Sequence, residues 1–214
     1  MQEKSTIVSW LTTATNMLKQ ADITSARLDA ELILANTLRK NRTYLHAHLD
    51  EEIDPRRVDI AEARLSLRLD RVPLAYILGK KEFYGREFDV SPNVLVPRPE
   101  SEEMINMLLK LAPQGNQPRT LIDVGTGSGC LGITAALELP DNWHIVLSDI
   151  SSKALSVAEK NAKKLDAKVF TQKQSLLLGQ FEKLDCILAN LPYVDKDWKN
   201  TSPELRHEPP EALY

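Results

Sequence analysis

Three alternate glycines at the end of an apolar run limit what this chain can fold into. Thr120-Leu121-Ile122-Asp123-Val124 is short and apolar, as a buried strand is. It runs directly into Gly125-Thr126-Gly127-Ser128-Gly129, after which residues 129–139 read as a helix. A strand that turns at once into a helix bends sharply, and residues without a Cβ permit that bend and let a ligand come close to the backbone. The helix then offers unpaired N–H groups at its N-terminus, a favourable place for a carboxylate or a phosphate. Further alternation follows: a strand over 144–148, a helix over 152–165, a strand over 168–170 and another over 185–189. A helix over 101–111, with Met104, Ile105, Leu108 and Leu109 on its apolar face, precedes them. Alternating strands and helices imply a parallel sheet with helices on its faces.

The first third of the chain has a different character. Ile7, Trp10, Leu11, Ala14 and Leu18 recur at helical spacing, with Ser5 as the expected N-cap. A second helix is expected over residues 26–38, with Leu28, Leu32, Ala35 and Leu38 as its apolar stripe and Thr24 or Ser25 as its cap. Tyr44 and Leu45 mark a short turn. Asp54-Pro55 pairs an N-cap with a proline at N1, and Val58, Ala61, Leu65 and Leu69 mark the buried side of the helix after it. Residues 1–72 therefore read as a small helical bundle. Over 73–97, prolines and glycines punctuate runs rich in Tyr, Phe and Val, and 82–85 with 86–90 are expected to pair as a hairpin. Residues 98–214 form the third segment.

Composition removes several classes of function. Lys and Arg number 27 against 30 Asp and Glu, so the net charge of −3 gives no overall basic field for nucleic acid. No apolar run is long enough to span a membrane, and the first residues lack the basic and apolar regions of a secretory signal. Cys130 and Cys186 have neither pairing nor metal spacing, and His46, His48, His144 and His207 share no ligand spacing, so no metal is expected. The expectation is a cytoplasmic protein with reduced thiols.

Asp149 ends the strand that follows the glycine turn, where a carboxylate can accept both hydroxyls of a ribose; the bland alternative is an N-cap for the next helix. Cys130 occupies the position where the dinucleotide fingerprint has its last glycine, and no P-loop lysine is present. Asp123 followed by Gly125-x-Gly127-x-Gly129 resembles instead the first motif of the seven-strand methyltransferases, whose ligand is S-adenosylmethionine. That resemblance implies a Rossmann-like α/β domain. It implies cofactor contacts at Asp123, Gly125, Thr126, Gly127, Ser128, Gly129, Asp149, Ile150 and Asn190, with Ser175 and Leu176 near the adenine.

The strand over 185–189 runs into Asn190-Leu191-Pro192-Tyr193, which is similar to the Asn-Pro-Pro-Tyr signature of methyltransferases acting on planar nitrogens. Such a nitrogen shares its lone pair with a π-system and is a poor nucleophile. The asparagine oxygen and the next backbone carbonyl can accept its two N–H bonds and aim it. Pro192 stiffens the turn and Tyr193 supplies a flat wall. Asn190, Pro192 and Tyr193 are therefore the expected catalytic residues, and Asn190, Leu191, Pro192 and Tyr193 the expected substrate contacts. Leu191 in place of the usual first proline leaves the carbonyl intact and reduces rigidity.

The connector narrows the substrate. Arg71-Val72-Pro73-Leu74-Ala75-Tyr76-Ile77-Leu78-Gly79, Glu82-Phe83-Tyr84-Gly85 and Val94-Leu95-Val96-Pro97-Arg98-Pro99-Glu100-Ser101-Glu102 closely resemble the release factor glutamine methyltransferases, the HemK family. The resemblance extends to Arg42-Thr43-Tyr44-Leu45 and to His207-Glu208-Pro209-x-x-Ala212-Leu213. It implies that the helical domain docks a peptide chain release factor, and that the glutamine of its Gly-Gly-Gln loop is methylated on the amide nitrogen. Neither nucleic acid nor membrane is an implied partner. Two alternatives remain: an N6-adenine nucleic-acid methyltransferase, argued from residues 190–193, and an inactive remnant that still binds a release factor. The family continues beyond the Ala-Leu segment, whereas the sequence ends at Tyr214. The strand over 185–189 is therefore expected to form an open edge, with Ile187 and Leu188 wanting cover and the chain poorly stable and weakly active alone.

Overall fold

The computed structural model describes residues 5–113, 115–178, 183–192 and 202–213. The chain divides into two units, Met1–Leu78 and Gly79–Tyr214.

The first unit is helical: α1 (Ile7–Gln20), α2 (Ala26–Leu38), α3 (Arg42–Ala47), α4 (Pro55–Leu69) and α5 (Leu74–Leu78). Thr6, rather than Ser5, caps α1. Its hydroxyl accepts from the Ser9 N–H while the Ser9 hydroxyl accepts from the Thr6 N–H, a reciprocal capping box that only the spacing from Thr6 allows. Helix α2 has the expected bounds but presents another face. Leu28 is 43% exposed, whereas Ala26, Ala30, Ile33 and Leu34 are buried, because small residues let α1 pack closely and the large leucines alone do not define the stripe. Neither expected side chain caps α2. Asp54 caps α4 by accepting from the Arg56 N–H, with Pro55 in the first turn, as expected. Helix α5 was not expected: it is a single short turn after Pro73, too brief to show a period.

Two acids lie inside this unit. The Asp29 carboxylate accepts from Arg68 Nε at 2.6 Å with both side chains buried, joining α2 to α4. Glu31 is buried against Arg27, Arg42 and His46.

In the second unit β1 (Lys80–Phe83) and β2 (Arg86–Asp89) form an antiparallel hairpin, as expected, but its first strand lies two residues earlier than 82–85 because residues 84 and 85 make the turn. Tyr84 and Gly85 turn it with φ of 51° and 69°, the left-handed pair that matches strand twist. Phe83 and Phe88 are buried and meet edge to face. A 3₁₀ turn, Pro99–Ser101, leads into α6 (Glu102–Leu111). Then come β3 (Arg119–Val124), α7 (Cys130–Glu138), β4 (Trp143–Asp149), α8 (Ser152–Lys164), β5 (Phe170–Lys173) and β6 (Cys186–Ala189). The sheet order is β5-β4-β3-β6, every pair parallel.

Strand β5 begins two residues later than expected. All four of its residues are exposed, so no alternation marks it in the sequence. Among the described residues β6 pairs on one side, with β3. Ile187 is 48% exposed there, as expected, but Leu188 points to the other face and is packed in the core at 6%. One buried amide joins three elements. Asn161 of α8 accepts from the Asp89 N–H at 2.7 Å and donates to the carbonyls of Asp89 and Ser128, both at 2.9 Å.

Removing one partner of the Asp29–Arg68 pair leaves a buried charge uncompensated. Arg68→Ala is expected to cost about 3–5 kcal/mol, read as a lower urea midpoint by far-UV circular dichroism. An unchanged midpoint would show that the pair adds nothing to stability.

Candidate active site

Strand register builds the site. Val124 stands opposite Ser148 on one side and opposite Ala189 on the other. The next residue of each strand is therefore Gly125, Asp149 and Asn190, three neighbours at the carboxyl edge of the sheet. Ligands of open α/β sheets bind at that edge.

The glycine turn is pinned from below. The N–H groups of Gly125 and Thr126 both donate to the Ser148 carbonyl, at 2.9 and 3.0 Å. Asp123 is 1% exposed. Its Oδ2 accepts from the Thr126 hydroxyl at 2.6 Å and from the Gly132 N–H at 2.9 Å, an N–H in the first turn of α7 that has no partner within the helix. A Cβ on Gly132 would meet Leu147 at 2.2 Å and the Asp123 side chain at 3.0 Å, so only glycine lets α7 sit this low on the sheet. Burial, partly offset by these two hydrogen bonds, raises the Asp123 carboxyl to about 6.

Above the turn lies a cavity of about 240 Å³. Gly125, Thr126, Gly127 and Ser128, Asp149 and Ile150, Ser175 and Leu176, and Asn190, Leu191 and Pro192 all line it. Two expected contacts fall elsewhere. Asp123 forms the floor beneath the turn, and Gly129 is the N-cap of α7, its φ of 83° and its crowding by Ile133 and Ala158 excluding other residues. Tyr193 lies outside the described residues.

Asp149 uses both oxygens locally. Oδ2 accepts from the Gly127 N–H at 3.0 Å and Oδ1 from the Ser151 N–H at 2.9 Å. It is not the N-cap of α8; Ser151 is, accepting from the Ala154 N–H. Each carboxylate oxygen keeps a further acceptor site toward the cavity. The Cys130 thiol is pushed up to about 12, chiefly by desolvation, and stays neutral.

Several wall residues were not expected. Gln174 donates its backbone N–H to the Asp149 carbonyl and Nε2 to Ser148 Oγ, while its Oε1 is buried without a hydrogen-bond partner among the described residues. Ser101 Oγ accepts from Asn190 Nδ2 at 3.3 Å. Glu208, 4% exposed, accepts from the Val96 N–H at 3.1 Å and from the Arg98 guanidinium. The Arg98 side chain therefore reaches an acid 110 positions away. Pro209, Glu211 and Ala212 complete the wall beside it. Among the described residues no cluster of His, Cys, Asp or Glu could hold a metal.

These residues fit S-adenosylmethionine. Gly125, with φ of 70°, leaves the space below Leu191 that a Cβ would fill at 3.3 Å, so a ligand can lie against bare backbone. Asp149 retains acceptor capacity at ribose height, and Gln174 Oε1 awaits a donor such as an exocyclic amine.

Fold and turn together define an S-adenosylmethionine-dependent methyltransferase domain. Residues 9–79 match the PrmC N-terminal domain and residues 102–208 the methyltransferase small domain. Release factor glutamine methyltransferases are similar to the chain over most of its length. That of Bacillus anthracis is 37% identical over 86% of this chain and 67% of its own length. That of Koribacter versatilis is 43% identical over 83% and 63%, and that of Leptospira interrogans 36% identical over 91% and 69%. The chain spans about two thirds of the length of these relatives, and it belongs to the release factor glutamine methyltransferase family.

A carboxyl raised to about 6 binds its proton more tightly in the folded state than in the unfolded state. The stability it contributes is complete below about pH 4 and is lost as pH rises through about 6, a swing of roughly 3 kcal/mol. Asp123→Asn removes this titration. Melting temperatures of wild type and variant from pH 4 to 7 are expected to show wild type losing ground to the variant as pH rises. Parallel curves would contradict the buried-carboxyl assignment.

Proposed function

We propose that this chain transfers a methyl group from S-adenosylmethionine to the side-chain amide nitrogen of the glutamine in the Gly-Gly-Gln loop of a peptide chain release factor. One observation carries the reading: the Val124–Ala189 register sets Asn190 beside the glycine turn, in one cavity. The family supports the substrate, and the helical unit, residues 9–79 of which match the PrmC N-terminal domain, is assigned the docking of the release factor.

Bound S-adenosylmethionine supplies an electrophilic methyl on a sulfonium, so no metal is needed. The α7 N-terminus and the Gly125–Ser128 turn would hold its carboxylate end, Asp149 its ribose hydroxyls, and Ile150, Ser175 and Leu176 its base. Asn190 Oδ1 and the main-chain carbonyl that follows accept the two N–H bonds of the glutamine amide. That grip turns the nitrogen lone pair out of conjugation and toward the methyl. Pro192 stiffens the turn, and Tyr193 is assigned the flat wall. As the new N–C bond forms the methyl–sulfur bond would break, its electron pair staying on sulfur as a neutral thioether, and the nitrogen would give one proton to solvent, leaving N5-methylglutamine. Alignment of this kind supplies several kcal/mol, up to about 7–11 in ideal cases.

The adenine alternative rests on residues 190–193 alone, and the acidic balance of the chain offers it no support.

Labelled S-adenosylmethionine with a purified release factor is expected to label the protein, whereas the glutamine-to-alanine loop variant stays unlabelled. Label on that variant would end the glutamine assignment. Asp149→Ala is expected to weaken S-adenosylmethionine binding by about 1–3 kcal/mol in calorimetry, and unchanged affinity would remove Asp149 from the ribose.

A further inference from the structure

Methylating a planar amide places a strict demand on Asn190. Its carboxamide has two ends of nearly equal shape and opposite hydrogen-bonding character: Oδ1 accepts and Nδ2 donates. The terminal torsion of asparagine is broad and roughly two-fold, so the side chain alone does not choose between them. An incoming glutamine amide brings N–H donors. It is gripped if Oδ1 faces it and repelled if Nδ2 does.

The structure contains a group that holds one of the two ends. Ser101 lines the same cavity, and its Oγ accepts from Asn190 Nδ2 at 3.3 Å. An N–H held there leaves Oδ1 in the same plane, on the other side of the Cβ–Cγ axis. Ser101 does not belong to the strand edge that carries Asn190. It ends the 3₁₀ turn Pro99–Ser101, where its N–H donates to the Arg98 carbonyl at 3.1 Å. Arg98 is tied in turn to the buried carboxylate of Glu208, whose second oxygen accepts from the Val96 N–H. The hydroxyl therefore stands on a turn anchored from below by Glu208 and continued above by α6.

We propose that Ser101 is a positioning residue for methyl transfer: by holding Asn190 Nδ2 it fixes the carboxamide so that Oδ1 meets the substrate nitrogen, with the Arg98–Glu208 pair anchoring the turn that presents it. This rests on the reading of Asn190 as the acceptor for the glutamine amide. Alanine preserves the turn and removes the acceptor, whereas threonine preserves both.

The test uses the whole chain as wild type, Ser101→Ala and Ser101→Thr, with melting temperatures to confirm folding. Two quantities are read: single-turnover transfer of label to a release factor, and hydrogen exchange of the Asn190 side-chain NH2 by nitrogen-edited NMR, its signals identified by their loss in Asn190→Ala. Ser101→Ala is expected to slow transfer at least tenfold while S-adenosylmethionine affinity stays within twofold, and to speed exchange of that NH2. Ser101→Thr is expected to recover most of both. Transfer and exchange both unchanged in Ser101→Ala would overturn the proposal. A wild-type chain that labels no release factor would instead defeat the methyl-transfer reading, and the exchange arm would still decide whether Ser101 holds Asn190.

Discussion

Three parallel strands that end level are the constraint on which the site depends. Val124, Ser148 and Ala189 share one register, so the residues that follow them emerge side by side. A slip of one residue in β6 would exchange Leu188 and Ile187 between the core and the exposed face. It would also carry Asn190 away from the glycine turn. The burial of Leu188 therefore holds the chemistry in place: packing on one face of β6 sets the position of the side chain at its end.

Beneath that edge, Asp123 does for the turn what register does for the strands. One carboxylate oxygen collects a hydroxyl from the turn and an N–H from the helix, and both donors lie within the nine residues after it. The glycine at position 132 completes the arrangement by letting the helix approach closely enough for that N–H to be reached. Strand, turn and helix are thus tied at a point with no access to water. The cost appears as a carboxyl whose proton is held to about 6.

The sequence declares the elements whose chemistry is local. The glycine turn, the Asp54-Pro55 helix start, the presence of a hairpin (expected over 82–90, found over 80–89) and the bounds of α2 all follow from neighbours a few positions apart. Partnerships set by the tertiary fold are not legible in that way. Nothing beside Arg98 in the sequence names Glu208, far along the chain, as its partner. Ser101 reads as one more small polar residue until β6 brings Asn190 to it. The buried face of α2 differs from its leucine stripe for the same reason: the buried positions are chosen by what α1 presents, and small residues count as much as leucines. Strand β5 left no pattern because all four of its side chains are exposed, so neither face of it reads as apolar.

Asn161 carries a consequence of its own. Its carboxamide accepts one N–H and donates to two carbonyls, so hairpin, α8 and glycine turn share a single fully buried side chain. An aspartate in that place has nearly the same outline but lacks the donor, and it would set a negative oxygen against the carbonyls of Asp89 and Ser128. Spontaneous loss of ammonia from this one amide would therefore convert a three-way joint into a repulsive gap just behind the cofactor wall. Burial among packed helices is also what keeps water away from it, so the position that could least survive such ageing is shielded from it.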